Sequence, residues 1–289
     1  MKTPDASKAD EFRHRYGPWA VIAGGSEGIG QSFALELAAR GLHLVLLARR
    51  APALEATAAR IRATHAVEVV TASVDLTAGQ LEQTIPALCA DKDVGLVIYN
   101  AGSMHGAGLF IDQPLERSLA LVQLNCVGPL WFTHHFGRRL RQRGRGGIVL
   151  MASMAGLAGT GFAAAYAATK AFDIVLAESL WFELRTSGVD VLGLIAGATR
   201  TPAMERSGVR FKDSQTPAAT AADSGPNVVP MEPDDVAAEA LAHLGEGPVW
   251  IAGARNRDAA EWLRRAARDE IVTAMSTASA QLYGLAIRS

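Results

Sequence analysis

Seven short apolar runs, each rich in Val, Ile or Leu, recur along the chain with helix-like stretches between them. They occupy residues 19–23, 43–48, 68–73, 95–99, 147–152, 189–195 and 248–252. The runs do not alternate with polar residues, and such strands need a parallel sheet whose two faces are both covered. The succession of strand and helix therefore predicts a doubly wound α/β fold with helices on both faces of the sheet.

The composition fits an ordinary globular protein. Of 289 residues, 49% are hydrophobic and 20% are charged, and the formal net charge is -1. This composition excludes a disordered or collagen-like chain. Because the charge is balanced, no overall field attracts nucleic acid. The arginine-rich run 138–145 lacks aromatic residues and ends a predicted helix, so we interpret it as a solvated helix end and expect no nucleic-acid partner.

The chain shows no sign of membrane insertion, disulfides or metal binding. Its charged first sixteen residues do not resemble a signal peptide, and no later run is apolar for the roughly 18 residues that a membrane span needs. Cys89 and Cys126 form no CxxC pair, which favours a reducing compartment. Neighbouring His134 and His135 face different directions on a helix. We expect a cytoplasmic protein without a bound metal.

We expect one domain, because no linker separates two independent cores. The domain should span residues 18–255, after an N-terminal extension 1–17 and before a helical tail 256–289. Residues 203–233, rich in Ala, Ser, Thr and Pro, interrupt the strand–helix series and predict a flexible flap over a site.

A glycine-rich turn follows the first predicted strand and leads directly into a helix. Glycines let a backbone approach a pyrophosphate closely, and the free N–H groups and dipole of the helix attract the anion. This context predicts a dinucleotide site, although a tight turn that needs positive φ would also use glycines. The predicted contacts are Gly24, Ser26, Gly28, Ile29 and Gly30.

Two arginines, Arg49 and Arg50, follow the second strand, where a doubly wound fold meets the adenosine ribose. An acidic residue there would bind the ribose 2′-hydroxyl of NAD, whereas arginine makes charge-assisted bonds to a 2′-phosphate. The pair predicts NADP(H) as the preferred cofactor. Two alternatives stay open. Two solvated arginines at the start of a helix would give the same sequence, and nearby Glu27 disfavours a phosphate, so NAD(H) is retained as the second cofactor.

Polar residues also follow the third and fourth strands. They are Asp75 with Leu76, and Asn100 with Ala101 and Gly102. Ligands bind at the carboxyl ends of strands in such sheets, so we place these residues in the cofactor site. Turn chemistry alone would also explain the Asn-Ala-Gly sequence.

Tyr166 and Lys170 are four residues apart on a predicted helix and therefore adjacent on one face. Ser153 closes the fifth strand, thirteen residues before Tyr166. A ketone that accepts a hydride becomes an alkoxide that must be protonated, and an adjacent ammonium favours the phenolate form of a tyrosine. We assign Tyr166 as the acid/base, Ser153 as a donor to the substrate oxygen and Lys170 as the group that tunes the phenol.

With these motifs in this order, the sequence resembles the short-chain dehydrogenase/reductase family over nearly all of residues 18–255. The resemblance rests on the glycine turn, Asn100-Ala101-Gly102, Asn125-Cys126-Val127-Gly128, Ser153 and the YxxxK pair of Tyr166 and Lys170. It implies a Rossmann domain with strand order 3-2-1-4-5-6-7 and an Asn/Ser/Tyr/Lys tetrad that includes Asn125. It also implies that Thr201, after Gly197, binds the nicotinamide carboxamide, that Lys170 binds the ribose, and that the chain forms a homodimer or homotetramer.

The segments expected to border the substrate are apolar, which favours a hydrophobic carbonyl or alcohol. The predicted lining is Met104, Met154, Phe162, Met204 and Phe211. We therefore expect an NADP(H)-dependent oxidoreductase that interconverts a hydrophobic ketone and a secondary alcohol of steroid-like, long-chain acyl or aromatic type. The alternatives are an NAD-linked alcohol dehydrogenase of a degradative pathway and a noncatalytic NADP-binding regulator.

Overall fold

A computed structural model of the chain describes residues 6–77, 81–104, 106–207, 209 and 229–287. Its strands form one parallel sheet in the order β3-β2-β1-β4-β5-β6-β7, which confirms the predicted fold. The strands are β1 (Trp19–Ala23), β2 (His43–Ala48), β3 (Val69–Ser73), β4 (Val94–Tyr99), β5 (Gly146–Ser153), β6 (Val189–Ala196) and β7 (Val249–Ile251).

Helices connect the strands and continue beyond the last of them. They are α1 (Ala6–Tyr16), α2 (Gly28–Ala39), α3 (Ala51–Thr64), α4 (Leu81–Leu88), α5 (Leu115–Val122), α6 (Gly128–Arg143), α7 (Ala164–Leu184), α8 (Pro202–Arg206), α9 (Pro233–His243), α10 (Ala254–Arg265) and α11 (Arg268–Leu282). A short π-helix, Gln123–Val127, joins α5 to α6.

Two apolar cores cover the faces of the sheet, as the continuous apolar strands require. Along β1, Ile22 enters one core and Val21 enters the other, because successive side chains of a strand point to opposite faces. Helices α1, α2, α3 and α9 pack on the first face, and α4, α6 and α7 pack on the second. Val21 and Ile22 are both fully buried, so neither face of β1 meets water at these positions.

Both terminal segments pack against the domain. In the predicted extension, Tyr16 is buried in the first core, and its hydroxyl donates to Asp190 at 2.6 Å. The predicted tail consists of two helices, α10 and α11, and the first begins at Ala254 rather than at residue 256. The Ser276 hydroxyl accepts the N–H of Gly161 at 2.8 Å, which fixes α11 against the segment that follows β5.

The arginine-rich run at the end of α6 is only partly solvated. Arg143 pairs with Asp93 at 2.8 Å, and Arg139 donates to the carbonyl of Cys89 at 3.0 Å. These bonds tie α6 to the loop before β4, so part of the run has a structural role. Across the part of the chain that is described, no helix is both long and apolar enough to cross a bilayer. The same residues include no cluster of metal-ligating side chains.

Candidate active site

The glycine turn lies where the strand order reverses, between β1 and β4, the position at which doubly wound sheets bind ligands. Gly24 has φ +84°, and a Cβ there would lie 2.8 Å from the backbone N of Ala101. A Cβ on Gly30 would lie 2.0 Å from the carbonyl oxygen of Gly24. That carbonyl accepts the Asn100 amide at 3.0 Å, so the turn, α2 and the end of β4 contact one another without room for side chains.

Replacing Gly30 by alanine should therefore destabilise the protein and weaken dinucleotide binding. Forcing a methyl group into a filled site costs about 1–3 kcal/mol. Thermal melting should show a lower Tm, and NADPH fluorescence titration should show a higher Kd. Gly247→Ala is the matched control, because a Cβ at Gly247 meets no atom within 4 Å. Equal Tm values for the two variants would contradict the proposed packing of the turn.

An open cleft of about 540 Å³ extends from the glycine turn along the carboxyl ends of the strands. Most of the predicted cofactor residues line it: Gly24, Ser26, Gly28, Ile29, Arg49, Arg50, Leu76, Asn100, Ala101, Gly102 and Thr201. Gly30 lies behind this wall as a packing residue. Ser103, Ala203 and Arg206 also line the cleft, and the sequence motifs did not indicate them.

The two arginines after β2 have different surroundings. Arg50 pairs with Glu27, which also pairs with Arg206 at the end of α8. Burial would raise the pKa of Glu27, but its bonds to the two arginines outweigh burial and lower it. Glu27 is thus neutralised by cations rather than left to repel a phosphate. Among the described residues, Arg49 is exposed and has no carboxylate at ion-pair distance, so its guanidinium is available to a ligand.

Asp75 is not among the described residues that line the cleft. Its carboxylate accepts the backbone N–H of Thr77 at 2.9 Å and the Thr77 hydroxyl at 2.7 Å, which closes a local turn. These hydrogen bonds, that of the backbone first, lower the pKa of Asp75. Its neighbour Leu76 lines the cleft, and the role of Asp75 in cofactor binding stays a prediction.

A second cavity of about 220 Å³ adjoins the cleft and shares Asn100, Gly102 and Thr201 with it. We call it the inner cavity. Ser153, Tyr166 and Lys170 all line it, as does Gly197. The Ser153 hydroxyl accepts the N–H of Ala155 at 3.2 Å, and it keeps its own proton to donate. Three of the four predicted catalytic residues therefore surround one space at the end of the cofactor cleft.

The fourth residue, Asn125, is fully buried behind that wall. It lies in the π-helix, an irregularity that is frequent at functional sites. Its amide donates to the hydroxyl of Thr169 at 3.0 Å and to the carbonyl of Ser103 at 3.3 Å. The Tyr99 hydroxyl donates to the Leu124 carbonyl at 2.7 Å and thereby supports the π-helix from β4.

Lys170 makes an ion pair that the motifs did not indicate. Its ammonium donates to Asp173 Oδ2 at 2.9 Å and to the Met151 carbonyl at 2.7 Å. Burial would lower the pKa of Lys170, but the charge of Asp173 and then that of Tyr166 outweigh burial and raise it. The signal in the sequence was an aspartate one helical turn after the YxxxK lysine.

The predicted substrate residues separate into three groups. Met104 and Met204 line the inner cavity, and Phe162, with φ +63°, borders an adjoining pocket together with Met104 and Tyr166. Met154 is partly buried and packs against a small core of Ala152, Ile174 and Ile195, so its contact with a substrate stays a prediction. Phe211 and most of the predicted flap lie outside the described residues.

Helix α11 reaches the same wall from the carboxyl end of the chain. The Tyr283 hydroxyl donates to the sulfur of Met104 at 2.9 Å. Burial, and then the charge of Tyr166, raises the pKa of Tyr283, so this phenol stays neutral. The motifs gave no indication that the tail contacts the substrate side of the site.

The cleft and the inner cavity fit a nicotinamide dinucleotide. The glycine turn leaves space that side chains would fill, cationic side chains stand at one end, and the Ser/Tyr/Lys set stands at the other. This arrangement defines an oxidoreductase of the doubly wound class. The chain belongs to the short-chain dehydrogenase family, whose model (short chain dehydrogenase) matches residues 18–210.

Relatives and solved structures agree with this family. The 7β-hydroxysteroid dehydrogenase of Collinsella aerofaciens is 30% identical over 92% of this chain and 98% of its own length. A solved 7β-hydroxysteroid dehydrogenase superposes with a TM-score of 0.81, at 29% identity, over 91% of this chain and 98% of the other. A Sphingobium yanoikuyae short-chain dehydrogenase in complex with NADPH has a TM-score of 0.71, at 31% identity, over 86% and 94% of the two chains.

Proposed function

We propose that this oxidoreductase uses NADP(H) to interconvert a hydroxyl and an oxo group on a steroid-like substrate. The observation that carries the proposal is the convergence of Ser153, Tyr166 and Lys170 on a cavity that opens into a cleft with available Arg49. The similarity to 7β-hydroxysteroid dehydrogenases and to an NADPH complex supports the choice of substrate and cofactor.

The cofactor, when bound, supplies or accepts the hydride. Arg49 would hold the 2′-phosphate through charge-assisted hydrogen bonds, and the N–H groups at the start of α2 would hold the pyrophosphate. Thr201 stands at the boundary of the two cavities, where its hydroxyl caps α8 by accepting the N–H of Met204 at 3.3 Å. Together these residues would orient the dinucleotide along the cleft.

The protein's own residues move the proton. Ser153 donates a hydrogen bond to the substrate oxygen, and Tyr166 gives its phenolic proton to that oxygen during reduction and takes it back during oxidation. The Lys170 ammonium stabilises the phenolate that remains. Asn125 acts from behind the wall by fixing Thr169 and Ser103, which flank the site.

The wall of the inner cavity favours a bulky apolar substrate. Met104 and Met204 present flexible thioethers that adapt to a large hydrocarbon surface. The Tyr283 phenol adds a polar group on this side. These side chains fit a rigid polycyclic alcohol with few polar groups better than a sugar or an amino acid.

A substrate panel tests the proposal. Purified enzyme with NADP⁺ should oxidise 7β-hydroxysteroids faster than 7α-hydroxysteroids, long-chain secondary alcohols and aromatic alcohols, measured by NADPH absorbance. The same panel with NAD⁺ is the cofactor control. Turnover of the simple alcohols with no turnover of any steroid would contradict the proposed substrate.

We also propose that the chain forms a homo-oligomer through α5 and α7. Leu115 and Leu119 form an exposed apolar stripe on α5, and Val175 and Phe182 form another on α7. The two helices pack against each other, so the stripes form one surface.

Light scattering should give the molar mass of a dimer or a larger oligomer for the wild type. Leu119→Lys should shift this mass towards that of a monomer, while Trp262→Lys on exposed α10 should not. A monomeric wild-type protein would contradict this proposal.

A further inference from the structure

Lys170 and Asp173 form an ion pair that is almost completely buried. Lys170 is 5% exposed and Asp173 is 2% exposed. The oxygen Asp173 Oδ1 is buried and has no hydrogen-bond partner among the described residues. Burying a carboxylate with one oxygen unpaired costs free energy, so a carboxylate here is unfavourable for folding unless its charge serves the site.

The groups that face this pair come from three elements. Tyr166 acts on Lys170 from the same helix, Cys126 faces both charges from the π-helix, and Tyr99 faces Asp173 from β4. Burial first, and then the charge of Asp173, raises the pKa values of the Cys126 thiol and the Tyr99 phenol, so both stay neutral. Burial raises the pKa of Asp173 as well, and the adjacent Lys170 ammonium opposes that rise. Among the described residues, Asp173 is the one carboxylate that pairs with Lys170.

The ammonium has three N–H donors, and two of them are occupied by the Met151 carbonyl and Asp173. The third is left for the inner cavity, which Lys170 lines next to Tyr166. A Cβ on Gly102 would lie 3.4 Å from this ammonium, so a glycine keeps that side open. An ammonium buried to this degree without a counter-ion would lose its proton readily.

We propose that Asp173 is a positioning residue that keeps Lys170 charged and holds its ammonium at the wall of the inner cavity. It acts through Lys170 and does not touch substrate or cofactor. The charge on Lys170 is independent of which substrate is turned over, but its effect on the reaction rests on the proposed function.

The direct test is the titration of Lys170 in solution. The chain has only five lysines, so ¹³C labelling of the lysine Cε atoms gives few NMR signals, and Lys170→Arg assigns the relevant one. We expect Lys170 of the wild type to titrate at a higher pH than an ordinary lysine, and Asp173→Asn to lower its titration midpoint by at least about one pH unit. Glu178→Gln, a carboxylate-to-amide change at an exposed position of the same helix, should leave the midpoint unchanged.

The pH profile of steroid oxidation provides the catalytic readout. In Asp173→Asn, a neutral Lys170 stabilises the phenolate less, so the midpoint of kcat/KM should move to higher pH, and Asp173→Glu should restore it in part. An unchanged Lys170 titration in a folded Asn variant overturns the proposal. A profile midpoint that moves to lower pH also overturns it, since that result means Lys170 remains charged without Asp173. If no steroid is turned over, the NMR titration still tests the inference, whereas the proposed function fails.

Discussion

Tyr166→Phe should bind NADPH as tightly as the wild type and turn over at least about 10²-fold more slowly, because positioned acid/base groups contribute roughly 10²–10⁴-fold to rate. The variant lacks only the phenolic oxygen, and Tyr166 is half-buried on a helix whose packing does not depend on that atom. Stopped-flow absorbance at 340 nm and fluorescence titration of NADPH measure the two quantities separately.

Tyr283→Phe is the matched control, since it removes the other phenol near the substrate wall. We expect a less than tenfold change in kcat (roughly, since one hydrogen bond contributes about 1 kcal/mol). Comparable losses in the two variants would mean that Tyr166 is not the distinct acid/base, and wild-type turnover in Tyr166→Phe would disprove the mechanism.

The second large effect concerns the cofactor. Arg49→Asp should reverse the preference from NADPH to NADH, because it removes a cation that is free to bind a 2′-phosphate and introduces a charge that repels it. A hydrogen bond to a charged group contributes about 1.5–3 kcal/mol, so the loss of one should change the ratio of kcat/KM values by roughly 10- to 10²-fold. The measurement is kcat/KM for both cofactors with one substrate.

Arg60→Asp on the exposed face of α3 controls for the altered net charge. It should leave the cofactor ratio unchanged. If Arg49→Asp keeps the wild-type ratio of kcat/KM for NADPH over NADH, then Arg49 does not select the cofactor. In that case Arg50 or Arg206 binds the 2′-phosphate once its ion pair with Glu27 has opened.

The fold was predictable because its determinants are local in the sequence. Unbroken apolar runs required a sheet covered on both faces, and the glycine turn placed the cleft at the reversal of strand order. The Tyr166/Lys170 spacing likewise needs only a helix to bring the two side chains together. Each of these inferences depends on residues within one strand–helix unit.

The omissions came from contacts between distant segments. Tyr283 reaches Met104 across 179 positions, and Glu27 meets Arg206 across 179 positions as well. The periodic spacing of apolar residues along the sequence does not predict contacts between such distant positions. Asp173 is visible in the sequence one helical turn after Lys170. A carboxylate on a helix usually lies at the surface, however, and the burial of Asp173 becomes evident only in the fold, where β5 and the π-helix cover it.

Isotope transfer tests the central claim most directly. The enzyme is supplied with a 7-oxosteroid and, in separate reactions, NADPH deuterated in each of the two positions at C4 of the nicotinamide. The account predicts that one of the two gives a 7-hydroxysteroid one mass unit heavier, with the deuterium on the new carbinol carbon. It also predicts that Tyr166→Phe forms this labelled product at least about 10²-fold more slowly than the wild type. An unlabelled alcohol from both cofactors, or no alcohol from wild-type enzyme that binds NADPH, would contradict it.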